Sequence, residues 1–324
     1  MLSPTELETV CQAYGVVVGT LTPISARVSR MVSDVDDLAI KFFMPGEDTM
    51  ARTEAALLTC VNAAPSPHYR VQTLLLTRSG DPLLDVDGLR VLVTRFQRGT
   101  QKRYGEIEID EWHSLGKALA ALHTSLDAIA IPLPSLKDHL AKLDVVGELE
   151  RLQQDQAAAE ARDDGGVFLD FFSDRAALLR ERGPRCLSRL YEIESWEPIH
   201  NDYNENNYLF VDDMPPFILD WDRALLAPRE YDVVRCLNHL PLEAPERAKA
   251  FLQGYRSLRA LSPKLLKWSV DAALVSHGVK HWPVERWLAD EPGAHAWLIA
   301  VAKMVRELVR RRRELDAFFA AAPS

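Results

Sequence analysis

Apolar and polar positions alternate along much of the first third of the chain and shift to a helical spacing beyond it. Val28 to Val32, Leu38 to Phe43, Val71 to Thr77 and Leu89 to Phe96 are the clearest alternating runs. Each predicts a strand, because side chains two apart share a face. One helical stretch, Thr49 to Val61, interrupts them. Ahead of them Ser3-Pro4-Thr5-Glu6 reads as a capping box with proline at the first helical position, which predicts a short helix to about Tyr14. Past Arg98 the pattern is mostly helical, with Leu115, Leu119, Leu122 and Leu126 on one helix face. Within this second region Asn206 to Val211 and Phe217 to Asp220 predict two short strands, joined by the turn cluster Asp212-Asp213-Met214-Pro215-Pro216. The Gln/Ala/Asp-rich run from Gln153 to Asp164 reads as a solvated helix ending in a loop at Gly165-Gly166. A sheet-rich start and a helical remainder predict an α+β chain of two lobes, residues 1–96 and 97–324.

Composition narrows the class. With 324 residues, 47% hydrophobic and 26% charged, the chain can bury a large core. A net charge of -9 argues against a nucleic-acid surface. The basic cluster Arg310 to Arg313 would spread around the circumference of a solvated helix. Cys11, Cys60, Cys186 and Cys236 show no Cys-x-x-Cys spacing and read as thiols in a reducing compartment. No zinc site is expected among His68, His113, His239, His277, His281 and His295. The start of the chain lacks the basic and apolar segments of a signal peptide, and no apolar run reaches the ~18 residues of a membrane span. A cytoplasmic protein with neither membrane nor nucleic-acid partner is expected.

The chemistry is concentrated in Ile199-His200-Asn201-Asp202-Tyr203-Asn204-Glu205-Asn206-Asn207 and Ile218-Leu219-Asp220-Trp221-Asp222. Asp202, Asn207 and Asp220 fall in a loop and at strand ends, where rigid strands can present them to one point. Magnesium prefers oxygen ligands and takes one or two carboxylates from protein, so Asn207 and Asp220 suit it in type and number. Asp202 is then free to orient or deprotonate an attacking hydroxyl. These three roles point to a phosphotransferase.

His-x-Asp-x-x-x-x-Asn, followed by Asp220 at the end of the next strand, resembles the catalytic loop and metal-binding aspartate of the protein-kinase-like fold. Trp221-Asp222-Arg223-Ala224 and Tyr231-Asp232 resemble its small-molecule branch, the aminoglycoside phosphotransferase and choline kinase superfamily. The segments at 251–263 and 287–290 are similar to members of the homoserine kinase and spore-coat kinase type. The resemblance implies a bilobal protein-kinase-like fold, with an antiparallel sheet in the small lobe, and ATP and Mg2+ as cofactors. It implies Asp202 as catalytic base, His200 as a loop-shaping residue, and Asn207 and Asp220 as metal ligands.

Leu38-Ala39-Ile40-Lys41 resembles the Val-Ala-Ile-Lys strand of kinases. Ala39 would lie under an adenine while Lys41 reaches the phosphates, steadied by Glu54 of the following helix. Arg90 to Phe96 resembles the last strand of the small lobe and its hinge, so backbone groups of Thr94, Arg95 and Phe96 would meet the adenine edge, with Leu209 also on the nucleotide side. A Gly-x-Gly-x-x-Gly loop is absent. Its place holds Gly19-Thr20-Leu21-Thr22-Pro23-Ile24-Ser25, and Ser25 or the amides around it would cover the phosphates. The family usually has glycine where this chain has Asn201, and Pro-Gly where it has Glu205-Asn206; asparagine tolerates positive φ well enough to keep the loop shape. Asp222 reads equally as a metal or substrate contact and as a loop carboxylate answering Arg223. Asp232 and His123 read as structural.

Three functions follow. The leading one is an ATP- and Mg-dependent kinase for a small-molecule hydroxyl: an amino alcohol, an amino acid, a sugar or an aminoglycoside-type antibiotic. The short stretch between Asp220 and Asp232 leaves no room for the activation segment on which peptides dock. The others are a kinase-like binding or regulatory protein without turnover, and a metal-dependent phosphoesterase or glycosyltransferase, which would leave Lys41 and Glu54 unexplained.

Overall fold

A five-stranded antiparallel sheet organises the first part of the chain, in a computed structural model that describes residues 2–321. Its strands are β1 (Thr20–Pro23), β2 (Val28–Val32), β3 (Asp37–Phe43), β5 (Leu83–Val86) and β6 (Leu89–Arg95), in the order β1-β2-β3-β6-β5. The period-two pattern gives the sheet two different faces. Leu38, Ile40 and Phe42 of β3, Met31 of β2 and Val91 and Val93 of β6 are buried against Leu7, Val10, Cys11 and Tyr14 of helix α1 (Pro4–Tyr14). Each such side chain stabilises the fold by about 1.5–3 kcal/mol. Ala39 and Lys41 alternate with this set, opposite Thr94 and Leu92 in register, and fall on the other face.

Local signals fix α1 as expected. Ser3 Oγ accepts from Glu6 N while Ser3 N donates to the Glu6 carboxylate, and Gly15 ends the helix at φ 68°. Helix α2 (Asp48–Ala63) follows β3 and carries Glu54, and helix α3 (Ile109–Leu126) buries the four leucines that predicted it.

The run Val71 to Thr77 differs from expectation. Only β4 (Arg70–Val71) is a strand, and it pairs in parallel with β9 (Phe217–Ile218) in a three-stranded sheet with β8 (Tyr208–Leu209). The physical reason is a shortage of edge: β3 takes one side of β6, and β5 takes Leu89 to Leu92 on the other. Among the described residues, what remains admits Arg95 N to Thr73 O at 2.9 Å and Leu75 N to Val93 O at 3.0 Å. Strands β8 and β9 are also shorter than predicted, and Asp220, just beyond β9, has left the strand conformation at φ 60°.

Two compact units emerge, Met1–Pro134 with Pro198–Leu225 and Ser135–Glu197 with Leu226–Ser324, so the boundary expected after residue 96 falls inside the first. The second unit is helical. Helix α6 (Leu169–Ser188) packs on α10 (Pro263–Gly278), and a methyl group at Gly278 would stand 2.6 Å from Leu179 Cγ, so glycine permits that approach. Buried Arg182 of α6 pairs with Asp271 at 2.8 Å and Asp316 at 2.9 Å.

His277 and His281 do stand four apart, a spacing that the expectation of no zinc site overlooked. Their nitrogens nonetheless take different partners: His277 Nε2 meets Asn238 at 3.2 Å, and His281 lies between Glu148 at 2.7 Å and Asp155 at 2.9 Å. Among the described residues no helix is long and apolar enough to cross a membrane.

Candidate active site

The segment from Ile199 to Asn207 is held from several directions. His200 is fully buried; its Nε2 donates to Leu219 O at 3.0 Å while Nδ1 accepts from Asp202 N at 3.3 Å, the pattern of a tautomer with the proton on Nε2. This one ring ties the loop before Asp202 to the strand end before Asp220. Asn201 takes φ 63°, the conformation that glycine would otherwise supply, and its amide donates to Arg223 O at 3.0 Å. Tyr203 OH anchors the loop to α3 through Leu115 O at 3.0 Å.

Asp202 accepts at both carboxylate oxygens, from Asn204 Nδ2 at 2.9 Å and from Asn207 Nδ2 at 2.8 Å. The same two amides also donate to the Asp202 main-chain carbonyl, at 3.0 and 2.8 Å. Each carboxylate oxygen keeps a further lone pair for a proton or a hydroxyl. With its nitrogen committed to Asp202, the Asn207 side chain presents its carbonyl oxygen as the unengaged atom.

Lys41 lies at the centre of the second cluster. Its ammonium reaches Glu54 at 2.6 Å, Asp220 at 2.6 Å and Asp222 at 3.2 Å. Burial works against that charge, but the three carboxylates outweigh it and hold the Lys41 pKa above the ordinary lysine value. Glu54 is itself buried, which pushes its carboxyl up to about 7 against the pull of Lys41. Asp220 is drawn below the usual carboxylate range because Lys41 overcomes the opposing effect of burial.

Carboxylate oxygens of Glu54, Asp220 and Asp222 come within 4.8 Å of one another, a group that could hold a metal ion. The Lys41 ammonium already fills the space among them, so the oxygens best suited to a hard cation are the uncommitted ones: Asp220 Oδ2 and Asn207 Oδ1, neither engaged by a hydrogen bond among the described residues. That donor set fits magnesium in type and number.

A cavity of about 690 Å³ adjoins both clusters, within the usual range for small-ligand pockets. Val28 and Ala39 line it with Leu209 and Leu219, and Ser25, Lys41, Glu54, Asn207 and Asp220 also border it. Phe96 sits beneath the Arg30 guanidinium, 4.3 Å from the ring centroid, and Arg30 is held by Asp37 through two bonds of 2.7 Å.

The hinge differs in detail from expectation. Thr94 is buried and does not line the cavity, the Arg95 amide donates to Thr73 O, and the Phe96 amide donates to Asp37 O at 2.8 Å. Among the described residues no partner meets the backbone amides from Gln97 to Gly99, a stretch that borders the cavity. Ser25 closes the β1–β2 turn by accepting from Arg27 N at 3.3 Å and Val28 N at 3.2 Å. Gly19 serves close packing, since a methyl group there would lie 2.2 Å from Val32 O.

Asp222 is buried and paired with Arg27 at 2.8 Å, while Arg223 stands at 3.7 Å, so its main partner is not the adjacent arginine. Arg27 carries no sequence signal of this role beyond its place at a hairpin tip where a glycine loop is missing. Gln72, another cavity residue, lies in the run read as a plain strand.

Residues 20–264 match the model of the phosphotransferase enzyme family. The chain belongs to that family. This phosphotransferase has the α+β protein-kinase-like fold, and its family sets aside the phosphoesterase and glycosyltransferase alternatives. Among solved structures it is similar to spectinomycin phosphotransferase in complex with ADP and spectinomycin, at 14% identity and TM-score 0.68, covering 99% of this chain and 98% of that one. It is similar to an amicoumacin kinase in complex with AMP-PNP, Ca2+ and its ligand, at 13% identity and TM-score 0.67, covering 95% and 94%. It also resembles a microcompartment-associated aminopropanol kinase, at 15% identity and TM-score 0.53, covering 92% and 93%.

Proposed function

We propose that this phosphotransferase moves the γ-phosphoryl group of ATP to a hydroxyl of an amine-bearing small molecule, with Asp202 as base. The observation that carries this reading is the pairing of Asp202 with Asn207, which leaves acceptor capacity on Asp202 for a substrate hydroxyl and the Asn207 carbonyl oxygen for a cation. Asn207 and Asp220 would hold magnesium; when bound, the ion neutralises charge on the transferring phosphoryl group.

Asp202 takes the hydroxyl proton as the substrate oxygen bonds to the γ-phosphorus. The bond from that phosphorus to the bridging oxygen breaks, and ADP leaves with the electron pair. Lys41, steadied by Glu54, holds the polyphosphate. His200 keeps the base and the metal side in register through Asp202 N and Leu219 O. Ala39, Val28, Leu209 and Leu219 enclose the adenine, with the backbone from Gln97 to Gly99 at its edge. Residues 1–96 supply most of the nucleotide contacts and residues 97–324 the base, metal ligands and acceptor pocket. The setting is the cytoplasm, with neither membrane nor nucleic acid as partner.

Spectinomycin, amicoumacin and aminopropanol are named for the similar structures, and an acidic chain suits an amine-bearing acceptor. Incubation with Mg·ATP and a panel of amino alcohols, hydroxy amino acids, sugars and aminoglycosides, read by mass spectrometry, tests the assignment. Phosphorylated amine-bearing acceptors are expected; transfer confined to sugars without an amine would contradict the acceptor class.

A further inference from the structure

Among the charged side chains around Lys41, Arg27 has no part in the mechanism above. It stands at the tip of the β1–β2 hairpin, in the turn closed by Ser25, where kinase-like proteins cover the phosphates with glycine backbone. Its Nη2 reaches Asp222 Oδ2 at 2.8 Å, and its Nη1 lies 3.6 Å from Glu47. The oxygen it holds is the one that Lys41 approaches at 3.2 Å, on a carboxylate whose side chain is 1% exposed.

The two cations are not equally fixed. Lys41 has three carboxylate partners and a side chain only 10% exposed; Arg27 has one buried partner, a more exposed Glu47, and a side chain 28% exposed. The hairpin does not depend on the guanidinium alone, because Phe42 N donates to Arg27 O at 2.8 Å. The side chain can therefore change partner while its backbone stays in the sheet. A divalent cation held by Asp220 and Asn207 would neutralise part of the carboxylate charge that attracts Arg27, and a polyphosphate would offer the planar guanidinium a matching anion.

We propose that Arg27 positions the terminal phosphates of the nucleotide: it is kept on Asp222 in the cation-free protein and is handed to the phosphates when cation and nucleotide bind together. This rests on the ATP and magnesium reading above. Linkage gives the idea a signature that a purely structural arginine lacks, because Arg27 and the cation oppose one another across the field of Asp220 while Arg27 and nucleotide cooperate.

The test measures Mn2+ affinity without nucleotide and Mg·ATP affinity, by calorimetry on the full chain, for the parent, Arg27→Gln and Arg27→Lys. Arg27→Gln is expected to bind Mn2+ about tenfold more tightly and Mg·ATP about tenfold more weakly, a coupling of ordinary allosteric size. Arg27→Lys keeps the charge but not the fork; it should hold Mn2+ as the parent does and bind Mg·ATP more weakly. That variant carries the test if Arg27→Gln does not fold. Constants that move together, or Mg·ATP affinity unchanged in both variants of a parent that binds it, would overturn the role of Arg27 and leave the proposed function standing. A parent that binds no Mg·ATP would remove both.

Discussion

Asp202→Ala is expected to cut phosphoryl transfer by about a hundredfold or more, the scale of general-base catalysis, while leaving Mg·ATP affinity close to the parent value. Alanine is a cleaner probe than asparagine. Asn204 and Asn207 each donate to the Asp202 main-chain carbonyl as well as to its carboxylate, so both retain a partner when the side chain is cut back. An asparagine at the same place would turn an amide nitrogen toward one of those two donors and disturb the loop for reasons unrelated to chemistry. Steady-state turnover with calorimetric nucleotide binding reads both parts. Turnover like the parent's would remove Asp202 from the chemistry.

Lys41→Met should have the largest effect on stability. Methionine replaces much of the buried stem but leaves Glu54, Asp220 and Asp222 facing one another without the ammonium that joins them. Removing one partner of a buried ion pair costs about 3–5 kcal/mol. The deficit should depend on pH in a definite direction. Glu54 already titrates above its ordinary value because it is buried, and without Lys41 it rises further. A carboxyl raised in the folded state contributes stability that is present on the acid side and lost as pH rises through its folded pKa. Urea unfolding of Lys41→Met should therefore show a larger loss relative to the parent near about pH 8 than near about pH 5. A pH-independent loss would mean that the three carboxylates are not coupled through Lys41.

The residues whose placement is legible in the sequence are those positioned locally. His200, Asp202, Asn207 and Asp220 lie within one loop and hairpin, so their spacing alone brings them near one another, and Asn201 takes the positive φ expected of it. Lys41 and Glu54 were readable because a strand and the helix after it fix their separation, and the sheet face of Ala39 and Lys41 follows from period two. Arg27 was not readable, since its partner Asp222 is distant in sequence and an arginine at a hairpin tip looks like any solvated turn residue. The amides of Arg95 and Phe96 are claimed by Thr73 and Asp37; the first contact depends on how the run from Val71 meets the leftover edge of β6, and the second extends the pairing with β3. That same competition for edge explains why an alternating run became a two-residue strand.

The most direct test of the account is titration of ATP, with and without Mg2+, into the parent and Asp220→Ala by calorimetry. The account predicts nucleotide binding to the parent that strengthens with magnesium, and loss of that magnesium dependence when the Asp220 carboxylate is removed. Binding that ignores magnesium in the parent, or an Asp220→Ala variant that keeps the full magnesium response, would contradict it.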